Sequence, residues 1–156
     1  MSQPSVVHAS FTLERTYPHP PERVFAAFAE PAALRRWFVE GEGWDVEVFD
    51  MDFRVGGIQT SRFRYKGGPP ITNHTTYQDI RVNERIVYAY HMTLGGAPIS
   101  ASLATVELRP AAGGTTLVFT EQDAFLDGFD GVKSRREGTE GLLDALGSAL
   151  EAGRAA

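Results

Sequence analysis

The residues able to do chemistry are few and widely spaced. No cysteine is present, which excludes a disulfide, a thiolate metal site and a cysteine nucleophile. Histidines stand at positions 8, 19, 74 and 91, too scattered for a metal site to be inferred. His74 and His91 fall on strand-like segments and converge if those segments pair. They then take structural or exposed roles, or His74 projects into a cavity as a general acid or base. Arg135 is more suggestive, because it puts a guanidinium on the apolar side of a helix. It either snorkels at the helix start, sits at a wet cavity mouth, or pairs with an acid such as Glu121 or Asp123.

Recognised catalytic patterns are absent. The chain has no H-E-x-x-H, G-x-S-x-G, phosphate-binding glycine-lysine loop or G-x-G-x-x-G. Asp127-Gly128-Phe129-Asp130-Gly131 lacks the alternating ligands and distal glutamate of a calcium loop and reads as a turn before a helix cap. Asn73-His74-Thr75 matches a glycosylation sequon, which carries no weight without a secretory signal. No catalytic residue, metal or cofactor is assigned. The aromatics are a stronger signal, with ten Phe, five Tyr and two Trp. Trp37, Phe38, Trp44, Phe63, Tyr65, Tyr77, Tyr88, Tyr90 and Phe119 are candidates for core packing or for the wall of an apolar cavity.

The chain that must position them has 156 residues, 42% hydrophobic and 22% charged, which fits one globular domain. Residues 1–9 read as a loose lead-in and 10–153 as the domain. The net charge of −5 offers no basic field for nucleic acid or an anionic membrane. No apolar run reaches a membrane span, and the N-terminus lacks a signal-peptide core, so a cytoplasmic location is expected.

Ser10 to Tyr17 alternates as a strand with one buried face. Pro21 suits the first position of a helix reaching Ala29, and Pro31 separates it from a second short helix carrying Leu34, Trp37 and Phe38. From Trp44 to Asp123 short strands alternate with turn residues: Trp44–Phe49, Ile58–Tyr65, Ile71–Ile80, Arg85–Met92, Ala101–Leu108 and Thr116–Glu121. That spacing predicts an antiparallel meander. Arg62 and Arg64 share one strand parity and should face solvent, opposite Phe63 and Tyr65. A last helix is predicted over Val132–Glu151, with Val132, Arg135, Thr139, Leu142, Leu146, Ala149 and Leu150 on its buried face. Glycines 138, 141 and 147 are costly there; they reflect weak local selection, or a backbone that must approach the sheet or leave room for a guest.

These elements, in this order, describe an α+β helix-grip fold: a curved antiparallel sheet of about 6–7 strands wrapped around a long C-terminal helix, with two short helices after the first strand. The chain resembles the SRPBCC (START-like, birch-pollen-allergen-like) superfamily. Within it, the chain is similar to the branch of the C-terminal domain of the activator of the 90-kDa heat-shock protein ATPase. Pro21, Val24, Phe25 and Trp37 stand in the family's first helix pair, and Phe53-Arg54-Val55-Gly56-Gly57 matches its glycine turn. Tyr77-Gln78-Asp79-Ile80 through Glu84-Arg85-Ile86-Val87-Tyr88 matches its strand pair. Gly114-Thr115-Thr116-Leu117 fits its later turn with a shift of one residue. Arg136-Glu137-Gly138 with Leu142-Leu143-Asp144-Ala145-Leu146 matches its last helix. Thr139 stands where this family usually has tryptophan, which opens space or polar surface beneath the sheet unless Phe125 or Phe129 refills it.

The resemblance implies a small hydrophobic or amphipathic molecule held between sheet and last helix. The candidate lining is the aromatic set above with His74, Glu121, Phe125, Phe129, Arg135, Thr139, Leu142 and Leu146. A polyketide cyclase/aromatase-like enzyme is the alternative, with His74, Arg135 and Glu121 as its candidates, and a chaperone-associated interaction domain is another. A homodimer or a chaperone is left open as a partner; nucleic acid and membrane are not expected.

Overall fold

Alternating residues at the start of the chain become the rim of a sheet. In the computed structural model, which describes residues 3–155, β1 (Val6–Tyr17) leads into α1 (Pro21–Ala29) and α2 (Pro31–Phe38). There follow β2 (Trp44–Met51), β3 (Ile58–Tyr65), β4 (Ile71–Arg81), β5 (Arg85–Leu94), β6 (Ala97–Ala111) and β7 (Gly114–Leu126), then α3 (Val132–Ala155). The seven strands form one antiparallel sheet in the order β1-β7-β6-β5-β4-β3-β2, so a six-strand meander is closed on one side by the first strand. This is the α+β helix-grip architecture.

Several elements run longer than their sequence patterns. Residues 6–9, read as part of the lead-in, already pair with β7 from Val6 opposite Leu126; residues 1 and 2 lie outside the described residues. β6 includes Pro98 and Pro110, which read as breakers. Pro98 falls at a bulge, where the β5–β6 register shifts between Met92 and Thr93. Pro110 has the same parity as Leu108, whose N–H donates to Glu84 beyond the last β5 pair, Arg85 with Glu107. Its missing N–H therefore points to the side where β5 has already ended.

The prolines at 21 and 31 each open a helix, and Glu30 ends α1 with its N–H on the Ala26 carbonyl. Trp37 locks the pair by donating its indole N–H to the Ala27 carbonyl at 2.9 Å and packing edge-on against Phe28. The core lies at this end of the molecule. Phe11, Leu13 and Tyr17 of β1 meet Val24, Phe25 and Phe28 of α1 and Leu143, Leu146 and Leu150 of α3. A close backbone approach explains Gly57: a Cβ there would lie 2.0 Å from the Asp52 carbonyl oxygen. The turn it makes exchanges backbone bonds with Tyr77 at 2.8 and 3.1 Å, and so fixes that tyrosine in the sheet.

The buried face of α3 begins with Arg135, one turn later than expected, and Val132 is exposed. The helix packs on α2, β1 and α1, while β3, β4 and β5 face it across a gap. Two of its glycines have different causes. A Cβ at the exposed Gly141 would meet nothing within 4 Å, whereas one at Gly147 would lie 3.2 Å from the ring of Tyr17. Tyr17 is buried and donates to the Leu143 carbonyl, so its ring cannot easily yield. Gly141→Ala should therefore raise stability by about 0.5–1 kcal/mol. Gly147→Ala should forfeit that gain or reverse it, both read from urea denaturation followed by circular dichroism.

Candidate functional site

Because α3 is held at its ends, the middle of the sheet is left uncovered. A cavity of about 450 Å³ opens there between α2, α3 and the concave face of β3–β5 and β7. The walls are aromatic. Phe53 meets the Tyr77 ring at 4.9 Å, Tyr77 meets Tyr88 at 6.3 Å and Tyr88 meets Tyr90 at 6.0 Å, a continuous chain across the floor. Phe28, Trp37 and Phe38 close the α2 side, and Trp44 and Phe63 stack edge-on at 5.4 Å nearby. Phe119, Thr139 and Leu142 complete this part of the lining. The hydroxyl of Thr139 is spent on the Arg135 carbonyl at 2.9 Å, so the residue shows the cavity mainly its small size.

One wall is ionic. Arg135 enters from the first turns of α3 and is 9% exposed. One terminal nitrogen donates to Asp130 and to Ser100, each at 2.8 Å, and the other to Tyr90 at 3.0 Å and Ser102 at 3.3 Å. Glu121 and Asp123 lie 3.7 and 3.6 Å from it, and the rings of Tyr90 and Phe125 lie beneath its planar head. Tyr90 donates to one oxygen of Glu121 at 2.8 Å, and Ser102 donates to one oxygen of Asp123 at 2.5 Å. The second oxygen of each carboxyl is buried and accepts nothing.

Three carboxyls against one guanidinium leave an excess that a buried site does not tolerate. The structure reduces it by a proton. Burial, and the neighbouring Asp123 carboxyl, push Glu121 up from its ordinary 4.5 to about 9, against the opposing pull of Tyr90 and Arg135. Glu121 is thus neutral at neutral pH. Burial disfavours the cation of Arg135, but Tyr90 and Asp130 outweigh it and hold the charge more firmly than usual.

Of the candidate residues, Trp37, Phe38, Trp44, Phe63, Tyr77, Tyr88, Tyr90 and Phe119 are at the cavity, with Glu121, Arg135, Thr139 and Leu142. Five are elsewhere. Tyr65 is half exposed at the end of β3, packed on Trp44. His74 has the opposite parity to Asn73 and Thr75 and stacks on His91 at 4.9 Å, on the outer face. It is paired as its strand position implied, but it cannot serve as an acid or base in the cavity. Phe125 is fully buried under Arg135, and Leu146 belongs to the core beyond the cavity. Phe129 is exposed because the turn at Asp127 and Gly128, both at positive φ, swings it outward. Neither phenylalanine refills the space at Thr139.

Gln59, Asn73 and Thr75 line the floor and were missed, as were Phe28, Ile71 and Met92. Polar strand residues read as solvent-facing, but parity held the signal. Gln59 shares a face with Phe63, and Asn73 and Thr75 share one with Tyr77. Arg62 and Arg64 do face outward, both beside Glu47. Among the described residues, no helix is long and apolar enough to cross a membrane.

The sequence profile of the family described as Activator of Hsp90 ATPase homolog 1-like protein matches residues 18–151. The crystal structure of the Mll3558 protein from Rhizobium loti is similar at 54% identity and TM-score 0.87, over 93% of this chain and 99% of that one. A putative uncharacterized protein from Rhizobium leguminosarum is similar at 41% identity and TM-score 0.92, over 96% and 99%. An AHSA1-like protein from Aeromonas hydrophila, 18% identical with TM-score 0.69 over 93% and 94%, shares the fold. No curated protein matches the chain significantly.

The proton on Glu121 has a consequence for stability. Its folded value, about 9, exceeds the ordinary 4.5. Between those pH values the folded chain keeps a proton that the unfolded chain has released, so raising the pH favours unfolding. This contribution falls by at most about 1.4 kcal/mol per pH unit. Glu121→Gln keeps an acceptor for Tyr90 and removes the titration. Relative to wild type, the variant should gain stability steadily in urea titrations at pH 5, 7 and 9. Parallel pH profiles for the two proteins would show that Glu121 is not the buried proton carrier.

Proposed function

The chain belongs to the Activator of Hsp90 ATPase homolog 1-like family, and we propose that it is a binding protein that holds a small apolar or amphipathic molecule between its sheet and α3. The observation that carries this reading is the cavity itself. Its volume of about 450 Å³ falls inside the range of small-molecule sites, about 300–1,000 Å³. Its walls combine many aromatic rings with a few polar groups, the composition such sites use to bury a ligand and orient it.

The position of Thr139 supports the same reading. It lies at the centre of the buried helix face, where a large side chain would project into the open volume. An empty apolar cavity of this size is a standing loss of packing, which a bound guest would recover. Arg135 and its carboxyls give the cavity a polar end whose cation is already paired, which suits an amphipathic guest better than an anionic one.

Native mass spectrometry on freshly purified protein should reveal a discrete extra mass that leaves on denaturation. The neutral fluorescent probe N-phenyl-1-naphthylamine should bind to protein stripped of that mass. Thr139→Trp fills the volume from within, so it should weaken probe binding at least about tenfold while leaving stability unchanged or higher. A clean apo mass together with no probe binding by the wild type would end this reading, as would equal binding by the stable variant.

A further inference from the structure

The polar groups of the cavity fall into two sets with opposite bonding states. The set around Arg135 is bonded mainly within itself and leaves over acceptors, one oxygen each of Glu121 and Asp123. The other is a band across the floor of the cavity, formed by Gln59 of β3 and Asn73 and Thr75 of β4, all under 7% exposed. In register Gln59 lies opposite Thr75, and Asn73 is the next inward-facing residue along the same strand. Each amide has its carbonyl oxygen already occupied. Tyr77 donates its hydroxyl to Gln59 Oε1 at 2.8 Å, and Thr75 donates to Asn73 Oδ1 at 3.0 Å.

Those two bonds fix which way each amide points. Gln59 Nε2 and Asn73 Nδ2 are left as N–H donors, and neither finds an acceptor among the described residues. The Tyr88 hydroxyl, also at the cavity, is likewise without a partner among the described residues. A buried polar group normally has a partner. Two donors left over on the wall of an apolar cavity call for an acceptor that the protein does not supply. We propose that the ligand carries a neutral hydrogen-bond acceptor oxygen, a ketone, quinone, ester or amide carbonyl set in an apolar and largely aromatic body, and that the side-chain N–H groups of Gln59 and Asn73 grip it.

This assignment rests on the cavity being a binding site and adds the chemistry of its occupant. A carboxylate would fit the donors but not the charge, because the guanidinium of Arg135 is already matched by Asp130 and the carboxyls of β7. A hydrocarbon of the same shape would leave the two amides unmatched. At the band of Gln59 and Asn73 a cationic amine would meet donors where it needs acceptors.

Isothermal titration calorimetry with three probes of one shape tests this: 2-acetylnaphthalene, 2-ethylnaphthalene and 2-naphthoate. The ketone should bind about 10–100-fold more tightly than the hydrocarbon, with the carboxylate weakest. Gln59→Met combined with Tyr77→Phe, and Asn73→Leu combined with Thr75→Val, remove each amide donor together with the hydroxyl that its loss would free. In either variant the ketone should lose its advantage, while the affinity for 2-ethylnaphthalene stays near that of wild type. Equal affinity of wild type for ketone and hydrocarbon would overturn the donor assignment and leave the binding cavity standing. So would a ketone preference that survives in both variants, which serve as a check on each other if one folds poorly. Failure of all three probes to bind would overturn both this assignment and the cavity's role.

Discussion

The clamp at Arg135 is the contact on which the shape of the molecule depends. One guanidinium near the start of α3 reaches Ser100 and Ser102 of β6, Tyr90 of β5, Asp130 of the preceding turn, and the carboxyls of Glu121 and Asp123 on β7. An arginine can do this because its planar fork presents several donors in fixed directions. The far end of the helix is held differently. There Leu143, Leu146 and Leu150 pack against β1, α1 and α2, and Tyr17 donates to the Leu143 carbonyl. A helix pinned ionically at one end and hydrophobically at the other spans whatever lies between, and between them lies the cavity.

That arrangement explains why the space is not closed by collapse. A single helix cannot cover seven curved strands, and α3 lies over β1 while β3–β5 are left to α2 and to open volume. Past Arg135, the residues of α3 that line the gap include the small Ser134, Gly138 and Thr139 beside Leu142 and Leu143. The sheet cannot move inward to meet them, because the Gly56–Gly57 turn ties Tyr77 in place and the aromatic chain from Phe53 to Tyr90 is packed ring against ring. Interiors resist compression for this reason, and a gap framed by rigid neighbours persists.

Most of the fold was legible because its signals are local. Pro21 and Pro31 announce helix starts, alternation marks strands such as Ile58–Tyr65, and the apolar stripe of α3 survives its glycines. The errors arose where the deciding fact is a neighbour. Residues 6–9 are strand because β7 reaches far enough to pair with them, and Pro110 is tolerated because β5 has stopped. The site was legible by residue type and illegible by polarity. Tyr88, Tyr90, Arg135 and Thr139 are conspicuous on an apolar face, whereas Gln59, Asn73 and Thr75 look like ordinary surface until parity places them beside Phe63 and Tyr77. His74 fails in the opposite sense, conspicuous by type but set by parity on the outer face.

The two polar systems of the cavity differ in what they leave over, acceptors at Arg135 and donors at the amides, and that difference separates support from recognition. Around Arg135 four hydrogen bonds and two ring faces fix the guanidinium among three carboxyls, of which Glu121 keeps its proton. A network bonded this densely fixes geometry, and what it leaves over are acceptors and not donors. The amides of Gln59 and Asn73 are half satisfied, oriented by hydroxyls from within the sheet and left with donors toward the cavity. A purely structural role would be served better by apolar residues at those positions, since amides that face a cavity with only half their bonds made add little stability. Their presence in a floor otherwise made of aromatic and aliphatic side chains is intelligible if the missing acceptor arrives with the guest.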